Sequence, residues 1–116
     1  MAVTIYHNPR CSKSRQTLAL LEEHGVKPRV VEYLKTPPDQ ATLKALLRKL
    51  GLPASALVRR KEPEFKALGL DAPGASEDAM LEAMASHPKL IERPIVVAGR
   101  KARLGRPPEA VLEILP

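Results

Sequence analysis

The chain has 116 residues, enough to bury one hydrophobic core but not two, so it reads as a single domain over 1–116. With 44% hydrophobic and 28% charged residues it has the make-up of a folded globular protein, and no apolar run nears the roughly 20 residues needed to span a bilayer. The net charge of +6 invites nucleic acid as a partner, but the basic residues are dispersed and aromatics make up 3% of the chain, so bases would find few platforms and a small anion accounts for the charge with less.

The start, MAVTIYHNPR, lacks the apolar stretch of a secretory leader, and a lone cysteine cannot close an internal disulfide. Both point to a reduced, cytoplasmic protein without a membrane anchor. Ala2 to Tyr6 places Val3 and Ile5 on one face of a short strand, and HNPRC then breaks the alternation with Asn8 and Pro9. A helix is predicted from Ser12, with Leu18, Ala19 and Leu21 on one side and Gly25 suited to its left-handed cap. Arg29 to Leu34, carrying Val30, Val31 and Tyr33, reads as a second strand, the later half of a βαβ unit.

After the break at Thr36, Pro37, Pro38 and Asp39, leucines 43, 46, 47 and 50 repeat at helical spacing up to Gly51. Pro53–Leu57 and Pro63–Leu68 read as short helical pieces. Ser76 can cap a further helix with Glu77 and Asp78 in its first turn and Met80, Leu81 and Met84 on its face. Ile95, Val96 and Val97 return to a strand, a turn follows at Gly99 and Arg100, and Ala102 and Leu104 belong to its hairpin partner. Pro107 and Pro108 then open a last helix with Val111, Leu112 and Leu115 buried. The order defines an α/β, thioredoxin-like four-stranded mixed sheet, built from 1–35 and 88–116. A helical insertion over 36–87 lies between the second and third strands and is expected to pack beside the sheet as a cap.

Cys11 falls where the first strand gives way to the first helix, so its sulfur would meet unpaired N–H groups and the positive end of the helix dipole. Arg10, Lys13, Arg15 and His7 are close in sequence and add to the positive field, which favours a nucleophilic thiolate. The same N–H groups can hold the oxygens of phosphate, sulfate or arsenate. The competing reading is a buried structural thiol, but such a cysteine belongs on an apolar face rather than in a basic, proline-containing turn. His7 reads first as a loop hydrogen-bonding residue that could tune the thiolate. Position 14 holds serine where a dithiol oxidoreductase carries its resolving cysteine, so electrons must come from another molecule. Arg59, Arg93 and Arg106 stand in three other segments near prolines or element edges; a cis peptide is predicted at Arg93–Pro94, with Arg93 turned toward Cys11.

HNPRCSKSR, YLKTPP, ALVRRKEPEF, ERPIVV and LGRPPEAVLEIL, in that order over nearly the whole chain, resemble the glutaredoxin-coupled arsenate reductase family. The first and last motifs look especially like an arsenate-reductase-like subgroup. The resemblance implies a thioredoxin-like fold with a helical insertion and Cys11 as nucleophile. It also implies Arg59, Arg93 and Arg106 as oxyanion-binding residues, with Arg60 the nearest competitor for the position of Arg59, and His7 and Ser14 as neighbours that modulate the thiolate. It further implies arsenate as substrate, glutathione as co-substrate and glutaredoxin as partner; no bound cofactor or metal is expected, and the dispersed charge speaks against nucleic acid. Two rivals share the core. One is a redox-sensing transcription regulator that binds RNA polymerase, although a disulfide switch there needs a second cysteine; the other is a glutathione-linked thiol oxidoreductase acting on a different substrate.

Overall fold

The computed structural model describes residues 2–115. Its elements are β1 (Val3–Tyr6), α1 (Ser12–Glu23), β2 (Arg29–Val31), α2 (Gln40–Leu50), α3 (Ala54–Leu57), α4 (Pro63–Ala67), α5 (Glu77–Ser86), a 3-10 turn (Pro88–Leu90), β3 (Ile95–Ala98), β4 (Lys101–Leu104) and a closing 3-10 helix (Pro108–Ile114). They form two compact units, one joining the N-terminal segment through Thr36 to the C-terminal segment from Arg93, the other spanning Pro37–Glu92. Among the described residues no helix is long and apolar enough to cross a membrane.

The first unit is the expected mixed sheet, in the order β2-β1-β3-β4. β1 runs parallel to β2 (Ile5 opposite Val30) and antiparallel to β3 (Ile5 opposite Val96), and β3 pairs with β4 as a hairpin. Alternation puts Val3 and Ile5 on one face, where they meet Val96, Ala98, Leu21, Val111 and Ile114 in one cluster. Ile5 is fully buried in that cluster. Ile5→Ala is expected to cost about 2–5 kcal/mol, read as a lower urea midpoint at unchanged m-value.

Three expectations change. β2 stops at Val31 rather than Leu34, because His7 donates the last bond to the Val31 carbonyl before the first loop turns away; Glu32 then accepts from Lys35 and Thr36 in a turn that still buries Tyr33. The buried stripe of α1 is Ser14, Thr17 and Leu21, with Leu18 half-buried and Ala19 exposed. The two hydroxyls can be buried because each is hydrogen-bonded: Thr17 donates to the Lys13 carbonyl at 2.7 Å, and Ser14 serves the loop described below. The last helix is 3-10 rather than α, and its buried residues Pro108, Val111 and Ile114 repeat every three positions as that geometry requires; Leu112 and Leu115 are only half-buried.

In the second unit the sequence signals act as read. Asp39 caps α2 through the Thr42 N–H at 2.8 Å, and Gly51 ends it at φ 70°. Ser76 caps α5 through the Ala79 N–H at 3.0 Å, and Glu77 accepts from both the backbone and the hydroxyl of Ser55 in α3. α5 packs against α2, α3 and the 3-10 turn, burying Met80, Leu81 and Met84. A single antiparallel bridge joins Val58 to Ile91; the Arg59 N–H donates to the Leu90 carbonyl at 2.7 Å and the Glu92 N–H to that of Leu57 at 3.0 Å.

Candidate active site

Cys11 is the N-cap of α1, with extended backbone (φ −93°, ψ 123°). Its N–H donates to the Asn8 carbonyl and its carbonyl accepts from the Arg15 N–H, both at 3.0 Å. Asn8 builds the turn that leads there, its Oδ1 accepting from the Arg10 N–H at 3.0 Å in an Asx arrangement. Arg15 reaches back to the Pro9 carbonyl at 2.9 Å. The loop is therefore stitched by its own polar groups before any ligand arrives.

The thiol is buried, and burial alone pushes its pKa up. The Ser14 N–H, a hydrogen bond and the positive charge from the Arg93 guanidinium, and the Lys13 N–H together outweigh that effect and hold Cys11 below the ordinary thiol value. Arg106 places Nη2 3.9 Å from the sulfur while its Nε donates to the Arg93 carbonyl at 2.8 Å. Two arginines from the far end of the chain thus converge on Cys11. The peptide bonds at Arg93–Pro94 and Arg106–Pro107 are both cis, the first as predicted. The charge that faces the sulfur comes chiefly from Arg93, 82 positions away in sequence, rather than from the basic residues flanking Cys11.

Ser14 and His7 sit beside this arrangement. Ser14 is fully buried; its Oγ accepts from the Asn8 N–H at 3.0 Å and lies 2.6 Å from His7 Nδ1. His7 is also buried. Burial depresses its pKa, Glu32 opposes and Arg15 reinforces that effect, and the balance is a native value below the ordinary one. At neutral pH the imidazole is therefore uncharged. His7 does not add the positive charge expected of it and instead anchors the hydroxyl that ties the loop to α1.

A pH dependence follows. As pH falls through about 6.5 the unfolded chain takes up the His7 proton first, so the native state loses stability between that value and the lower native one. The melting-temperature advantage of wild type over His7→Asn is expected to be largest at neutral pH and to shrink through that window.

Arg59 belongs to the other unit. Its Nη1 donates to Glu92 Oε1 at 2.7 Å and its Nε to Glu62 Oε1 at 3.3 Å, all three side chains being largely covered. Arg60 donates to the Ser55 carbonyl at 3.0 Å and lies over the Phe65 ring. Asn8 is the site residue that motif reading undervalued; the Asn-Pro pair signalled a turn, but not its bond to Ser14. Among the described residues no three His, Cys, Asp or Glu side chains gather as a metal site.

The thioredoxin-like sheet, a single thiol at the start of its first helix and two arginines on the sulfur define a thiol-bearing α/β protein. The ArsC family model matches residues 6–114, and the chain belongs to that family. It is 60% identical to the uncharacterized protein YfgD of Escherichia coli strain K12 over 97% of this chain and 96% of that one. It is 53% identical to the arsenate reductase of Neisseria meningitidis serogroup A, over 97% of each. Among solved structures, the arsenate reductase from Vibrio cholerae superposes with a TM-score of 0.96 at 58% identity, covering 99% of this chain and 98% of that one.

Proposed function

We propose that the chain is an arsenate reductase that uses glutathione and glutaredoxin as reductants. The observation that carries this reading is the Cys11 sulfur held by the Ser14 and Lys13 N–H groups, with Arg93 and Arg106 beside it. Arsenate reductases at about half identity over nearly the whole chain support the choice of oxyanion.

In this reading Arg93 and Arg106 offset the charge of the bound oxyanion, and the Cys11 thiolate attacks arsenic. An S–As bond forms and one arsenate oxygen leaves, protonated, as water. The chain has no second cysteine, so the glutathione thiolate attacks Cys11 sulfur. The S–As electron pair stays with arsenic, which falls from As(V) to As(III) and departs as arsenite, while the two thiols become a mixed disulfide. A glutaredoxin thiolate then takes the glutathionyl group and releases Cys11 as thiolate. Both reductants belong to the reducing cytoplasm, where the reaction is placed.

Ser14 and His7 support the loop, and the family resemblance adds Arg59 to the anion-binding set. Within its own unit Arg59 is paired with Glu62 and Glu92. The test is arsenate-dependent NADPH oxidation with glutathione, glutaredoxin and glutathione reductase, with arsenite measured as product. Arsenite formed in step with NADPH supports the reading. Inert arsenate with a Cys11 that still alkylates rapidly at neutral pH overturns it in favour of a thiolate with another substrate.

A further inference from the structure

Gly105 is buried, and its φ is not in the left-handed region, so backbone conformation does not demand glycine there. Space does. A Cβ built on Gly105 would run into Thr17 Oγ1, lie 2.7 Å from Pro94 Cγ and 3.1 Å from Thr17 Cγ2. None of these atoms can give way easily. Thr17 is β-branched, in mid-helix, and its hydroxyl is held by the Lys13 carbonyl at 2.7 Å; the Pro94 ring is rigid, and the Pro94 carbonyl accepts from the Gly105 N–H at 3.0 Å.

Each of the three residues at this contact is tied to a group that holds the Cys11 sulfur. Thr17 bonds to Lys13, whose N–H reaches the thiolate; Pro94 follows Arg93; Gly105 precedes Arg106. The bond from Arg106 Nε to the Arg93 carbonyl links the two arginine segments further.

We propose that Gly105 is a positioning residue: its missing side chain lets the segments carrying Arg93 and Arg106 close against α1, and this contact sets the reach of both guanidiniums to the Cys11 sulfur. A methyl group there wedges the two arginines away from the start of α1 together. The effect on anion binding rests on the proposed arsenate activity; the effect on the thiol does not.

The experiment compares wild type, Gly105→Ala, Thr17→Ala and the double variant, reading the pH profile of Cys11 alkylation by iodoacetamide alongside arsenate KM and kcat. Gly105→Ala is expected to move the alkylation midpoint to higher pH and to raise arsenate KM about tenfold or more, since misplacement of a binding group by about 1 Å is costly. The double variant, which removes both Thr17 atoms that the methyl group meets, is expected to recover part of both losses. A Gly105→Ala protein with wild-type midpoint and KM, or one altered only in melting temperature, overturns the proposal. If Gly105→Ala does not fold, the double variant, in which the methyl group still meets Pro94 Cγ, carries the test against Thr17→Ala alone: a midpoint and KM equal to those of Thr17→Ala overturn the proposal, and a shift of both beyond Thr17→Ala upholds it. A wild type that does not reduce arsenate sinks the activity, while the alkylation profiles still decide the role of Gly105.

Discussion

Cys11→Ser is expected to abolish arsenate reduction outright, not merely slow it. Two separate steps fail. A serine hydroxyl in the same place meets the same Ser14 and Lys13 N–H groups and the same Arg93, but its pKa is too high for those contacts to ionise it near neutral pH. Even if an ester to arsenic formed, oxygen cannot take up a glutathionyl group, so the two electrons that arsenic needs have no route. With no other cysteine in the chain, nothing can substitute. The check is arsenite formation measured directly, together with loss of iodoacetamide incorporation and retention of the wild-type circular dichroism spectrum. Residual turnover in Cys11→Ser would remove the mechanism.

The next largest loss is expected from Arg93→Ala, because this residue does two things at the sulfur. Its hydrogen bond and its charge both lower the thiol pKa, so the alanine variant should move the alkaline limb of the alkylation profile to higher pH. It also removes a charged donor from the place where an oxyanion would sit, a loss of about 10²–10³ in kcat/KM by comparison with other oxyanion-site donors. Arg93→Lys keeps a charge but not the planar fork, and should fall between the two. The stability linkage has a definite sign. A thiol whose native pKa is depressed adds stability that is fully present above the unfolded thiol value and is lost as pH falls through the native one. The melting-temperature gap between wild type and Arg93→Ala should therefore widen as pH rises across that window. An alkylation profile identical to wild type would show that Arg93 does not act on the sulfur.

Much of this architecture could be read from residue pattern, and the misses share a cause. β1 and β3 were legible because Val3, Ile5 and Val96 alternate or cluster within sharply bounded runs, and α2 and α5 because Asp39 and Ser76 are caps followed by apolar repeats. Cys11 and its loop stood out because a thiol at a strand-to-helix junction has one obvious set of donors. The end of β2 was not legible, since it is fixed by where β1 stops accepting partners and not by Tyr33 itself. The burial of Ser14 and Thr17 on α1 was not legible in the helical pattern, because hydroxyls look like solvent-facing residues until their hydrogen-bond partners are known; Ser14 stood out only through the family resemblance. Gly105 gave no signal at all: glycine is usually read for its backbone freedom, and here it is required by two neighbours distant in sequence.

β1, one of the two inner strands of the sheet, takes one partner from the residues that soon follow it and the other from near the far end of the chain. On the ribosome, β1, α1 and β2 emerge with Cys11 long before β3 or either arginine exists. Until residues 93–106 are made and the antiparallel pairing of β3 with β1 closes, the nascent chain carries the sulfur without the two guanidiniums that stand beside it. The surroundings of the sulfur are thus coupled to completion of the polypeptide: a product that ends before residue 93 can offer Cys11 the Ser14 and Lys13 N–H groups of α1 but neither guanidinium.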